Sequence, residues 1–247
     1  MNKNYDPSAG KAYEVIPDVR VLNMIQNKIG SFEDKFNIDI NVLSCEMATE
    51  FTRVQQKAVE FDRKMLFCKI LKEVIKKHNP TWLFDVIPTG SSVSGLAISN
   101  SDLDVAIYIP QAARVVDREC DGKSVSPEEK MVMWREKQIN ILQIVRLILK
   151  NEEQIKHRVN WEKGIQLVQA QIPILKIETS DGIECDISVV MDCFLSSMHN
   201  SFFIRQLASC DRFALLCFIV KRWADSTGLK NPKEGGFNRY QLVEQNE

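Results

Sequence analysis

The chain has 247 residues, 45% of them hydrophobic and 26% charged, with a formal net charge of −1. That is enough for one large or two small domains with real cores, the apolar and charged fractions are those of an ordinary globular protein, and nothing in the charge balance announces a strongly basic nucleic-acid-binding surface. Seven cysteines without a C-x-x-C pair read as reduced thiols in an intracellular protein rather than as a disulfide scaffold.

Residues 1–15 are polar, with Pro7, Ser8 and Gly10, and are expected to form a mobile tail. They lack the apolar stretch of a signal peptide, and the longest apolar run, 213–220, is too short to span a bilayer. No membrane association is expected, and the chain is read as cytoplasmic, nuclear or both. A helix is expected over 21–29. A longer one is expected over 46–78, where Phe51, Val54, Ala58, Phe61, Met65, Cys68, Leu71 and Ile75 recur at spacings of three and four. Lys64, Lys69, Lys72, Lys76 and Lys77 are read as its solvated face, and Asn79-Pro80 as its stop.

A strand over 82–88 then leads into Gly90-Ser91-Ser92-Val93-Ser94-Gly95, followed by Ser101-Asp102-Leu103-Asp104-Val105. Gly90 permits a tight turn, and Ser91 is the expected N-cap of a short helix through Leu96. Hydroxyls and exposed amides there suit phosphate. From Leu103 the pattern alternates. Leu103, Val105, Ile107 and Ile109 face a core, while Asp102 and Asp104 share the other face. Two carboxylates so placed repel unless a cation intervenes, and a hard divalent ion with oxygen ligands relieves that repulsion.

Residues 112–125 read as a polar loop. Ser126-Pro127-Glu128-Glu129 starts a helix running to about 150, with Met131, Trp134, Leu142, Val145 and Leu149 inward. Residues 165–179 read as a strand around Pro173, and 174–191 as a β-hairpin turning at Ser180-Asp181-Gly182. In its second arm Glu184, Asp186 and Ser188 alternate with apolar residues. If that arm lies beside the first aspartate strand, Asp186 joins the pair; otherwise it is an ordinary solvent-facing carboxylate. Asp211 is read as the cap of a last apolar helix bearing Lys221 and Trp223, ended by Gly228.

In this order the Gly-Ser turn, Ser101-Asp102-Leu103-Asp104, Glu184-Cys185-Asp186-Ile187-Ser188, Val220-Lys221-Arg222-Trp223-Ala224 and Phe237-Asn238-Arg239-Tyr240 resemble the successive motifs of the noncanonical poly(A) polymerases and terminal uridylyltransferases. These belong to the DNA polymerase β-like nucleotidyltransferase superfamily. The resemblance implies an α+β fold, a nucleotidyltransferase domain with a mixed β-sheet flanked by helices plus a partial helical central domain. The expected division is a tail over 1–15, N-terminal helices over 16–78, the catalytic domain over 79–195 and the start of a shortened central domain over 196–247.

The implied activity is template-independent addition of AMP or UMP to RNA 3′ ends by a two-metal mechanism. Asp102, Asp104 and Asp186 would hold Mg²⁺ or Mn²⁺. Gly90 and Ser91 would hold the β- and γ-phosphates, Lys221 would reach the triphosphate, Asn200 would contact the ribose, and Tyr240 would stack on the base. The implied partners are an RNA 3′ end, ATP or UTP, and a separate RNA-binding protein that selects targets; no DNA is expected. Arg239 stands where relatives carry Ser, and Asp225 where they often carry a second Lys. A catalytically weak scaffold subunit of an RNA-processing complex is the alternative.

Overall fold

The computed structural model describes residues 19–36, 38–121, 124–192 and 195–227. Gly228 and the segment containing Tyr240 lie outside them. The chain divides into two compact units, residues 1–49 and 50–247.

The first unit contains helix α1 (Val19–Phe36) and the opening of α2 (Ile40–Val54). The first helix is twice the expected length, and it leaves Met24, Ile25 and Phe36 about half exposed. Glu33 Oε1 accepts the Ile40 N–H at 3.0 Å, and Asp39 Oδ1 accepts those of Asn41 and Val42, satisfying donors that the start of α2 leaves without helical partners.

The second unit begins within α2. The helix expected over 46–78 is two helices, α2 and α3 (Ala58–His78), broken at Gln55–Lys57. Neither Pro nor Gly breaks it. The backbone there pairs with a distant turn instead: Gln55 bridges Ile98, the Gln56 N–H donates to Ala97 O at 3.0 Å, and the Ser99 N–H donates to Val54 O at 2.7 Å. Tertiary hydrogen bonds here outweigh helix propensity, which is a weak preference per residue.

Strand β1 (Asp85–Thr89) follows, then the one-turn helix α4 (Ser91–Ser94) and strand β2 (Leu103–Tyr108). The segment expected to be a loop contains helix α5 (Pro110–Cys120), with Pro110 in its first turn and Ala112 and Val116 buried four residues apart. Helix α6 (Pro127–Asn151) starts with a complete capping box. The Ser126 hydroxyl accepts the Glu129 N–H, and the Glu129 carboxylate accepts the Ser126 N–H. Leu142, Val145 and Leu149 are buried as expected, but Met131 is 69% exposed.

A short helix α7 (Glu153–Lys156) leads to strands β3 (Gln166–Val168), β4 (Ile174–Glu178) and β5 (Glu184–Val190), then to helices α8 (Ser196–Ala208) and α9 (Asp211–Ser226). The strand expected over 165–179 is therefore two strands, separated around Pro173, which has no N–H to extend a ladder. The N-cap position of α9 is Cys210 rather than Asp211.

The five strands form one mixed sheet in the order β1-β2-β5-β4-β3. β1 is an edge strand, which is where Pro88 is tolerated. β4 and β5 form the expected antiparallel hairpin, while β2 and β5 run parallel across a long connection that holds three helices and the strands β3 and β4. One sheet face carries Leu103, Val105, Ile107, Leu175, Cys185, Ile187 and Val189, each at most 1% exposed. They pack with Leu71, Val74 and Ile75 of α3 and Leu142, Val145 and Leu149 of α6. Each such burial contributes on the order of 1.5–3 kcal/mol before entropy is counted. The opposite face holds the two strand aspartates and is met by α4 and α8. No described helix is long and apolar enough to cross a membrane.

Candidate active site

The register fixes the centre of the site. In the parallel β2–β5 pair Asp104 lies directly beside Asp186. Parallel partners project to the same face, and neighbouring strands are about 4.8 Å apart, so both carboxylates leave the sheet together. On the other side of β2, Thr89 pairs with Asp104, which sets Gly90 against that same side chain. A Cβ at Gly90 would stand 2.0 Å from Asp104 Oδ2 and 3.2 Å from its Cβ. Gly90 also has φ +70° and ψ −156°, a region open essentially to glycine alone. The turn therefore requires glycine for backbone shape and for room.

α8 clamps this turn from above. The Gly90 N–H donates to Ser201 Oγ at 2.8 Å, Ser201 Oγ donates to Ser197 O, and Arg205 donates to Val93 O at 2.8 Å. The N-cap position of α4 is Gly90, not Ser91, and its C-cap Gly95 is left-handed. Ser92 is buried and engaged, its hydroxyl donating to Asp102 O at 3.0 Å. Ser94 is also buried, and Ser91, half-buried, lines both adjoining cavities.

Two cavities meet here. One of about 480 Å³ is lined by Gly90, Ser91, Asp104, Asp186, Asn200 and Lys221. A second of about 340 Å³ adjoins it through Ser91 and Lys221 and is lined by Asp102, Asn100, Glu184 and Asp225. The first is within the usual size for a small-molecule site. Asp102 precedes β2 in the turn that follows Asn100, a left-handed residue at φ +62°, so it borders the neighbouring cavity rather than the one holding Asp104 and Asp186. A larger groove of about 720 Å³ along α6, lined by Met131, Val132 and Trp134, holds no carboxylate and lies apart from these residues.

Asp186 is paired with Lys176 of β4 at 3.2 Å, across the sheet register. Among the described residues no three His, Cys, Asp or Glu side chains are drawn together as a metal-binding group. The donor chemistry nonetheless fits a hard divalent cation. Asp104 and Asp186 are hard oxygen donors on adjacent strands, and the Lys176 ammonium supplies positive charge to one of them. Lys176 is 44% exposed, and such surface pairs hold only about 0–1 kcal/mol, so a dication can displace it.

Around the site, Glu50 ties the end of α2 to α9, accepting from Arg53 at 2.6 Å and Arg222 at 2.5 Å. The Arg53 guanidinium, and then that of Arg222, draw its carboxyl down to about 2. Cys185 precedes Asp186 but is fully buried, and burial pushes its thiol well above the usual range, so it is inert packing.

The family model for the central palm domain of mitochondrial-like poly(A) RNA polymerase matches residues 43–204. The chain belongs to that family. It thereby joins the noncanonical poly(A) polymerases and terminal uridylyltransferases. The palm match takes in Gly90, Ser91, the three aspartates and Asn200, and stops short of Lys221. Poly(A) RNA polymerase GLD2-B of Xenopus laevis is 24% identical over 203 residues, covering 81% of this chain and 34% of the frog protein. Protein HESO1 of Arabidopsis thaliana is 28% identical over 159 residues, covering 64% of this chain and 26% of that protein. The chain thus spans about a third or less of these relatives. Among solved structures, the polymerase of a GLD-2–GLD-3 complex superposes with TM-score 0.61 at 21% identity, over 83% of this chain and 57% of that one. The uridylyl transferase Cid1 gives 0.58 at 20% identity, over 82% and 51%. These two share the fold.

Sequence reasoning missed two residues that pack around the candidate site. Ser201 carries no local signal, because its partner Gly90 is 111 positions away. Lys64 is one of the lysines expected on the solvated face of α3, yet its side chain is fully buried beneath the Gly-Ser turn. A signal was available: Lys64 stands four residues before Cys68 and seven before Leu71, on the stripe that faces the core.

Proposed function

We propose that this chain carries the catalytic palm of an RNA 3′-terminal nucleotidyltransferase that adds AMP or UMP without a template. The observation that carries this reading is the register that sets Asp104 beside Asp186 in a cavity shared with Gly90, Ser91, Asn200 and Lys221. Asp104 and Asp186, with Asp102 from the adjoining cavity, would hold Mg²⁺ or Mn²⁺. When bound, two such ions supply charge neutralisation at the attacking and leaving oxygens and lower the pKa of the RNA 3′-hydroxyl.

The chain's own residues do the positioning. Gly90 lets the backbone and Asp104 come together, and Ser91 offers its hydroxyl to the β- and γ-phosphates. Lys221 brings a cation to the triphosphate as a compact point charge. Asn200, on α8 at the cavity wall, would contact the ribose hydroxyls. Tyr240 would stack on the base. Positioning and charge stabilisation together account for most of the acceleration that such a site needs.

Purified protein is incubated with a labelled RNA primer, Mg²⁺ and each of the four NTPs in turn. Extension with ATP or UTP is expected, and Asp104→Ala is expected to abolish it. Absence of extension with every NTP would reject the reading. The Asp186–Lys176 pair favours one alternative, a weakly catalytic scaffold, which the same assay would reveal as RNA or protein binding without turnover. Target choice is assigned to a separate RNA-binding partner, since the near-neutral net charge of −1 supports little phosphate attraction. A strong preference of the lone chain for one RNA sequence would overturn that assignment.

A further inference from the structure

We propose that Lys64 is a positioning residue whose buried ammonium ties the Gly-Ser turn to the turn that presents Asp102. Its Nζ donates to Gln56 Oε1 at 2.7 Å, to Ser92 Oγ at 3.0 Å and to Ser101 Oγ at 3.0 Å. An ammonium has three protons, and here each has an oxygen. Lys64 is 0% exposed, so this charge is held without water. A buried charge is costly unless hydrogen-bonded and paired, and the fourth neighbour is Glu60 Oε1 at 3.4 Å.

Two of the three acceptors belong to segments of the proposed site. Ser92 is in α4, and its hydroxyl passes the contact on by donating to Asp102 O. Ser101 directly precedes Asp102. Gln56 donates from its Nε2 to Ser92 O at 3.2 Å, closing the ring around the turn. Glu60 Oε1 also accepts the Asn100 N–H at 3.0 Å, which fixes the left-handed residue two positions before Asp102. The opening of α3 therefore grips both turns from beneath, opposite the hold of α8 on Gly90 and Val93. Lys64 touches no reacting atom. It sets the distance between the serine turn that faces phosphate and the aspartate that faces the cation.

This rests on the nucleotidyltransferase reading, and the test separates the two. The full chain is compared with Lys64→Met, with Ser92→Ala/Ser101→Ala, and with Lys69→Met as an exposed control on the same helix. Amide hydrogen exchange is followed in residues 90–94 and 98–104, against α6 and β4 as internal references. Lys64→Met is expected to speed exchange in both turns and leave the references unchanged. It is also expected to lower kcat of primer extension about 10- to 100-fold, with KM for the NTP changing less, as small misplacements near a reacting centre do.

The double serine variant is expected to reproduce the exchange pattern, and it decides the matter should Lys64→Met fail to fold. Lys69→Met is expected to behave as wild type. Unchanged exchange in both turns, or a rise spread evenly over the protein, would overturn the proposal. A wild-type chain that extends no primer, while Lys64→Met still speeds exchange in the two turns, would sink the enzymatic reading and leave the tether standing.

Discussion

At Gly90 the site leaves no room for a side chain. Its backbone angles are those of glycine, and the space beside its Cα is taken by the Asp104 carboxylate. Asp104 can swing away from an added methyl, but the backbone strain stays. Gly90→Ala is expected to destabilise the protein by about 1–3 kcal/mol, seen as a lower Tm, because residues held in sparsely populated backbone regions cost that much. It is also expected to weaken primer extension, since the carboxylate that moves is a proposed cation ligand. An unchanged Tm would show that the turn can relax. The same residue shows what a sequence can signal. A glycine before two serines announces a tight turn, yet only the pairing of Thr89 with Asp104 reveals which carboxylate it makes room for.

At the scale of elements, Glu152 is the join. It caps the end of α6, its side chain is 6% exposed, and it accepts from Lys77 and His78 at the end of α3, both at 2.9 Å. His78 and then Lys77 hold its carboxyl at about 2, below the ordinary 4.5. A depressed folded-state pKa gives stability that is present above the unfolded value and is lost as pH falls through the folded one. Wild-type protein is therefore expected to lose stability between about pH 4.5 and 2 on account of this group. Glu152→Gln, which cannot titrate, is expected to flatten the pH dependence of Tm in that window. An identical slope in the two proteins would show that other carboxylates control acid unfolding. The elements also differ in how openly the sequence declares them. The cap of α6 is written in Ser126-Pro127-Glu128-Glu129 and forms as written. The break between α2 and α3 is written nowhere near itself, because it depends on residues 97–99.

At the scale of the whole molecule, the candidate site is assembled from segments more than a hundred residues apart: the turn after β1, the facing strands β2 and β5, and the helices α8 and α9. Charge is nearly balanced over the chain, 32 basic residues against 33 acidic. RNA binding by the chain alone is therefore expected to be weak and to fall gently with salt. The expected slope of log K against log salt has magnitude below about 2, which corresponds to fewer than about three single-strand phosphate contacts. A steep slope would mean that basic side chains gather into a track that the overall balance conceals.

What the sequence determined by itself is local and periodic. Alternation in 103–109 and 183–189 put the aspartates on polar strand faces, and the order of motifs gave the family and the α+β fold. The aspartate faces are legible because side-chain direction repeats every two residues in a strand and because turns and caps are built from neighbours, whereas the family and the fold rest on the resemblance of the motif order. Tertiary structure alone decided the rest. A parallel pair has no connecting turn to fix its register, so the meeting of Asp104 with Asp186 depends on the whole crossover between β2 and β5. The burial of Lys64 likewise follows from which turns close over its helix. Both outcomes depend on contacts between positions distant in the chain, which no local periodicity encodes.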